Sequence, residues 1–152
     1  MPPSLKTQIK RFTDAQIEFA VKEVVKLVPE QIRIRTQLGK DLKGGKIKRL
    51  AASTVAYRRR YSDNLDSNTS PGRSNLTATG QLLRAIEAKA DKNKIVISLK
   101  NKRSRDLSGA SSKVSNSEVK DFQEDKGRFF FGLAEFEKNF ILREILKVLK
   151  RK

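Results

Sequence analysis

Helix-forming segments at both ends and a β-branched segment between them predict an α+β domain. Its parts are a long N-terminal helix, a small central antiparallel sheet, a C-terminal amphipathic helix and two long flexible loops. Apolar residues recur at helical spacing in 13–38 and again in 134–150, while Lys94–Leu99 (KIVISL) is rich in β-branched residues. The stretches 61–75 and 101–117 carry no periodicity. No internal repeat divides the chain, so residues 1–152 read as one domain, a length that buries roughly 70% of the unfolded surface.

Taken in order, residues 4–11 form a short helix. Thr13 and Gln16 then match a capping box, with Phe12 and Ile17 at the two positions of a hydrophobic staple. Ile17, Ala20, Val21, Val24, Val28 and Ile32 make a helical stripe. Pro29 removes a backbone donor inside it, which predicts a kink or split near Val28. Gly39 is the stop. Residues 40–50, with Gly44-Gly45, read as an exposed basic loop, Ser53–Arg60 as one or two helical turns, and 61–75 as a long polar loop. A second helix is expected from Gly80 to about Ala88, then a turn at Asp91-Lys92-Asn93 and the strand Lys94–Leu99. Residues 101–117 are Ser- and Lys-rich loop, and Glu118–Asp125 a short helix. Arg128–Leu133 (RFFFGL) reads as a strand, although three consecutive Phe residues fit a buried segment of either type. Ala134–Lys150 is a helix with Phe136, Phe140, Ile141, Ile145, Leu146 and Leu149 on one side, and its basic end Lys147–Lys152 suits the negative pole of the helix dipole.

The chain contains no Cys and no His, which excludes disulfides, thiolate metal sites and Ser-His-Asp or Cys-His catalysis. The start, MPPSLKTQIKRF, lacks the apolar run of a signal peptide, and no apolar stretch is long enough to span a membrane. The two glycosylation sequons at Asn68 and Asn75 carry no meaning without secretion. The run from Gly39 to Lys46 faintly resembles a P-loop, but its spacing is off by one and Ile47 stands where Ser or Thr would hold magnesium. Asp63 and Asp66, like Glu124 and Asp125, read as solvated charges rather than an acid–base couple. Tyr57 beside three arginines reads as a surface tyrosine rather than a nucleophile. The expectation is a protein that is not an enzyme, with no cofactor, no metal and no membrane partner.

The net charge of +17 is regional. Residues 39–60 contribute +7, 81–103 contribute +5 and 136–152 contribute +4, while 13–38 is neutral. Lys46, Lys48, Arg49, Arg58, Arg59 and Arg60 form the densest cluster, an electrostatic footprint for phosphate without the aromatic interleaving of a single-strand stacking platform. Such a cluster contacts DNA without reading sequence, or pairs with acidic patches of neighbouring subunits. Phe129, Phe130, Phe131, Phe136 and Phe140 read as core or subunit interface. Alternation along a strand sets Phe130 opposite Phe129 and Phe131.

Three segments occur together: Leu50-Ala51-Ala52-Ser53-Thr54-Val55-Ala56-Tyr57-Arg58, then Asn75-Leu76-Thr77-Ala78-Thr79-Gly80-Gln81-Leu82-Leu83-Arg84-Ala85-Ile86, then Gly127-Arg128-Phe129-Phe130-Phe131-Gly132-Leu133 before an amphipathic helix. In this order the chain resembles the virion-morphogenesis and tail-completion proteins of tailed phages, of the Mu-like and lambdoid minor tail or neck type. Leu76–Leu82 is close to that family's Leu-x-x-x-Thr-Gly-x-Leu motif, and Arg128–Leu133 to its Arg-x-Phe-hydrophobic-Gly-Leu motif. The family often places Pro before that arginine, where Gly127 stands here. The resemblance implies a structural protein of the head–tail neck, assembled in the host cytoplasm. It further implies a homo-oligomer, most often a hexameric ring. The implied partners are a head connector or stopper and a tail terminator or tail tube, with non-specific contact to channel DNA. A tail terminator or a head-closure ring is the alternative within the virion, and a free sequence-independent nucleic-acid-binding protein the alternative outside it. Thr79, Gly80 and Gly132 read as corners that define the fold: Thr79 as a helix cap, Gly80 as a point of close backbone approach, and Gly132 as the turn into the last helix.

Overall fold

The computed structural model describes residues 2–151 and is α+β, with seven α-helices and one two-stranded antiparallel sheet among them. Helix α1 (Leu5–Ile9) is capped by Ser4, whose hydroxyl accepts from the Thr7 amide. Helix α2 (Asp14–Val24) opens on the expected capping box. Gln16 N–H donates to Thr13 Oγ1 at 3.2 Å and Thr13 N–H to Gln16 Oε1 at 2.9 Å. Phe12 and Ile17 both pack on the core.

The long helix splits earlier than Val28. Its break lies at Val25-Lys26, and α3 runs Leu27–Gln37. In a continuous helix the Pro29 ring would meet the carbonyl of Val25, four residues back. Breaking there puts Pro29 in the first turn of α3, where a missing N–H costs nothing. Gly39, left-handed at φ 77°, closes α3 with both bonds of a Schellman motif: Gly39 N–H to the Thr36 carbonyl and Lys40 N–H to the Arg35 carbonyl.

Helix α4 (Ala52–Arg60) is longer than one or two turns need. The next helix is shorter than its apolar side implies. Helix α5 (Gln81–Arg84) is a single turn, and strand β1 (Ile86–Asp91) takes over before Ala88. β2 (Lys94–Leu99) supplies what the local pattern omits, a partner: Ile86, Ala88 and Ala90 face Leu99, Ile97 and Ile95 on the inner side of the hairpin. Lys92, at φ 54°, makes its turn. Helix α6 (Asn116–Asp125) starts two residues before Glu118 because Ser115 and Glu118 form a second capping box. Helix α7 is Glu135–Lys150. Lys152 lies outside the described residues.

The core forms where α1 and α2 pack along α7 and the hairpin closes over α2 and α3. Ala20, Val21, Val24, Val28 and Ile32 of the first stripe meet Ile141, Ile145, Leu146 and Leu149 of the last, with Leu82, Leu83, Ile86 and Phe130 between them. No helix among the described residues is long and apolar enough to cross a membrane.

Arg128–Leu133 is not a strand. Its carbonyls are taken by other donors: Leu42 N–H reaches Phe129 O at 3.0 Å, and the Arg35 guanidinium reaches Phe130 O and Gly132 O. One arginine thus does the work of a partner strand, leaving the segment free to bend. The remaining connections are also more tightly held than their composition implies. Ile47 is buried within the basic loop, Leu107 within 101–117, and Asn75 and Thr77 close the 61–75 segment inside the protein.

Candidate functional site

Of the six basic candidates, five are on the surface and one is not. Lys46, Lys48 and Arg49 project from the loop after α3, and Arg59 and Arg60 from the end of α4. No carboxylate among the described residues lies within ion-pair range of any of these five. Arg60 lies over the Tyr61 ring at 5.6 Å. Arg58 is buried, 4% exposed, and donates to Arg73 O at 2.7 Å and Thr69 Oγ1 at 3.2 Å. Burial drives its guanidinium below its ordinary pKa. Arg58 is therefore a brace for the 69–73 segment and not a contact for DNA, a correction that its neighbours in a run of three arginines conceal.

The same device recurs through the molecule. Arg128 donates to Arg49 O at 2.8 Å and Lys48 O at 3.2 Å, which joins the third resemblance segment to the two residues that lead into the first. Arg33 donates to Leu83 O at 2.8 Å and Ile86 O at 3.0 Å, fixing α5 and the entry to β1. A guanidinium offers five donors in a planar fork, so one side chain satisfies several carbonyls that no ladder reaches. A few of the arginines are thus internal scaffolding, and the surface field rests on the remaining lysines and arginines.

The glycine-rich run after α3 is closed to phosphate by its own carboxylate. Asp41 Oδ1 accepts from Lys43 N–H at 2.9 Å and Gly45 N–H at 3.0 Å, and Asp41 O from Gly44 N–H. These are the amides a phosphate cradle would need. Among the described residues no group of three or more carboxylates could hold a metal ion.

The aromatics divide. Phe130 is fully buried, and Phe131 and Phe140 are half-buried against the core. Phe129 and Phe136 are more than half exposed, which corrects a core assignment for both and leaves them as interface candidates.

Two of the three corners are glycines at positive φ. Gly80 has φ 73°, and a Cβ there would lie 2.5 Å from Asp66 Oδ2 and 2.7 Å from the Arg84 guanidinium nitrogens. Gly132 has φ 130° at the turn into α7. Gly80, not Thr79, holds the N-cap position, and the Thr79 hydroxyl one residue earlier accepts from the Gln81 backbone amide at 3.5 Å and from Gln81 Nε2 at 3.0 Å. Gly80→Ala forces a left-handed alanine and parts Asp66 from Arg84. We expect a loss of about 2 kcal/mol, read as a fall in Tm of roughly 4–8 °C by calorimetry.

Asp66, beneath that corner, pays for burial of its charge, yet hydrogen bonds from Asn68 and Arg84 hold its carboxyl below the usual carboxylate range. A depressed folded pKa contributes stability above the unfolded pKa of about 4, and that contribution is lost as pH falls through the folded value. Asp66→Asn should therefore flatten the acid limb of stability against pH while lowering stability near neutrality. Urea midpoints across the acid range check this; an unchanged acid limb contradicts it.

A pocket of about 210 Å³ lies where the first two resemblance segments meet. Leu50, Thr54, Tyr57 and Arg58 come from the first, and Leu76, Ala78, Thr79, Gly80 and Leu82 from the second. Arg103, Leu107, Val119 and Gln123 complete the wall. Leu76 adopts a left-handed φ of 58°, a conformation that a leucine holds only when its surroundings impose it. The pocket is invisible to a linear reading because its walls are four separated segments.

Comparison with protein-family models, curated proteins and solved structures gives no match for this chain.

Proposed function

We propose that the protein is a structural component of a tailed-phage virion, a tail-completion protein that joins the DNA-filled head to the tail as a ring in the neck. The observation that supports this reading most is the convergence of the three resemblance segments. Arg128 clasps Lys48 and Arg49, the first and second segments share one pocket, and Gly80 sits where a side chain would collide. Residues that resemble a family's motif act here as the joints of one body, which is how a scaffold uses them. Exposed Phe129 and Phe136 supply apolar surface for neighbouring subunits, and the five surface cations supply weak, salt-sensitive contact with passing DNA or acidic neighbours. In-vitro complementation tests the role. Purified protein added to separated heads and tails from a phage lacking it should restore infectious particles by orders of magnitude; an inert addition contradicts the reading.

A second reading, a free sequence-independent nucleic-acid-binding protein, is favoured by those five cations having no acidic partner. It requires tight DNA retention by the isolated protein at low salt, lost when Lys46, Lys48, Arg49, Arg59 and Arg60 are changed to Gln. The neck reading requires weak retention by the isolated protein and failed joining by the same variant. Arg58 is left intact in this test because its removal would loosen the fold.

A further inference from the structure

We propose that the pocket between α4, the Leu76–Leu82 segment and α6 is a docking site for an acidic protein segment that inserts one large apolar side chain flanked by carboxylates. The inference stands on the pocket itself and holds whichever assembly the protein serves. Three observations carry it.

The lining is apolar and cationic without a carboxylate. Leu76, Leu82, Leu107 and Val119 face the space, and the charged residues among the lining are Arg58 and Arg103. Both arginines leave Nε buried with no hydrogen-bond partner. Each makes its other bonds elsewhere, Arg58 to the 69–73 segment and Arg103 Nη1 to Asn116 Oδ1 at 3.1 Å. A buried charged donor without an acceptor is costly; Arg35 Nε in the core is another among the described residues, and those of Arg58 and Arg103 share one pocket. Both Nε atoms are closed to solvent in the free protein, so a carboxylate meets them with charge-assisted bonds as the two side chains turn toward the pocket.

Size selects the kind of ligand. About 210 Å³ is below the roughly 300 Å³ at which small-molecule sites begin, and suits one aromatic or leucine anchor of a protein partner. Charge selects the partner. Two arginines and no carboxylate in the lining call for an acidic segment, and a segment carried by an acidic protein is also drawn by the chain's +17.

The test uses nuclear magnetic resonance on the full chain, following backbone amides and the arginine Nε–H signals. The probes are acetyl-Glu-Phe-Glu-amide, its neutral counterpart acetyl-Gln-Phe-Gln-amide, and 3-phenylpropionate. The acidic peptide should shift the Nε–H signals of Arg58 and Arg103 and the amides of Leu76–Leu82, and bind at least tenfold tighter than the neutral peptide. Arg103→Gln should erase most of that difference while the spectrum stays folded. Equal affinity of the two peptides overturns the proposal, as do shifts confined to Lys46–Arg49 and Arg59–Arg60, the mark of diffuse charge attraction. Binding of 3-phenylpropionate as tightly as the acidic peptide also overturns it, because the occupant is then a small apolar acid. Should Arg103→Gln unfold the chain, the peptide comparison on the unaltered protein decides.

Discussion

Glu137→Ala should cost about 3–5 kcal/mol, a large part of the stability of a domain this size. Glu137 is fully buried on α7 and pairs with Arg35 of α3, which is 2% exposed. Its Oε1 also accepts the Ala134 amide at 2.7 Å at the start of α7. Removing it strands a buried guanidinium and an orphaned amide together. Burial pushes the Glu137 carboxyl above its ordinary range, against the pull of Ala134 N–H and Arg35. The same desolvation pulls Arg35 below its own. The pair therefore specifies how α3, α7 and the Phe130 segment meet rather than adding stability outright. Replacing both partners with apolar residues, as in Arg35→Met with Glu137→Leu, should recover part of the single-variant loss. Recovery stays partial because Arg35 also serves Phe130 O and Gly132 O. Urea unfolding of the two singles and the double measures this. Additive losses would show that the two residues are not coupled.

Asn75→Asp should be comparably damaging, about 3–5 kcal/mol from several unmet buried groups. The Asn75 carboxamide is fully buried. Its Nδ2 donates to Asn68 O at 2.9 Å and Gln37 O at 3.2 Å, and its Oδ1 accepts from the hydroxyls of Thr69 and Thr77. One side chain ties the end of α3 to both ends of the 68–77 segment. An aspartate turns the donating side toward two carbonyls as an acceptor, so it should be worse than Asn75→Ala. Thermal unfolding of both variants checks the order; Asp tolerated better than Ala would refute the network.

The stripes of 13–38 and 134–150, the capping box at Thr13 and the β-branched run 94–99 were legible because each is set by residues three, four or two positions apart. The split at Val25 is legible too once the clash of Pro29 with a carbonyl four residues earlier is followed to its site. β1 escaped that reading because Leu82, Leu83 and Ile86 have helical spacing, and only pairing with β2 makes Ile86 a strand residue. Arg128–Leu133 has strand composition but no strand beside it, and its carbonyls go to Arg35 and Leu42. The Ser115–Glu118 capping box was present in the sequence as Ser-x-x-Glu and marks α6 two residues early. The Arg35–Glu137 pair had no local signal: each residue is an ordinary helix charge, and their contact spans 102 positions. For the candidate site the cluster of cations was visible, but the division of labour within it was not. Arg58 faces inward and Arg59 and Arg60 outward because a helix turns by about 100° per residue, and which of the three meets the 69–73 segment depends on tertiary packing.

Electron microscopy of a lysate from a phage lacking this gene tests the proposed head–tail joining role most directly. DNA-filled heads beside separate tails of normal length are the expected result. Intact, infectious particles would contradict the role and leave nucleic-acid binding by the five surface cations as the better account of the charge.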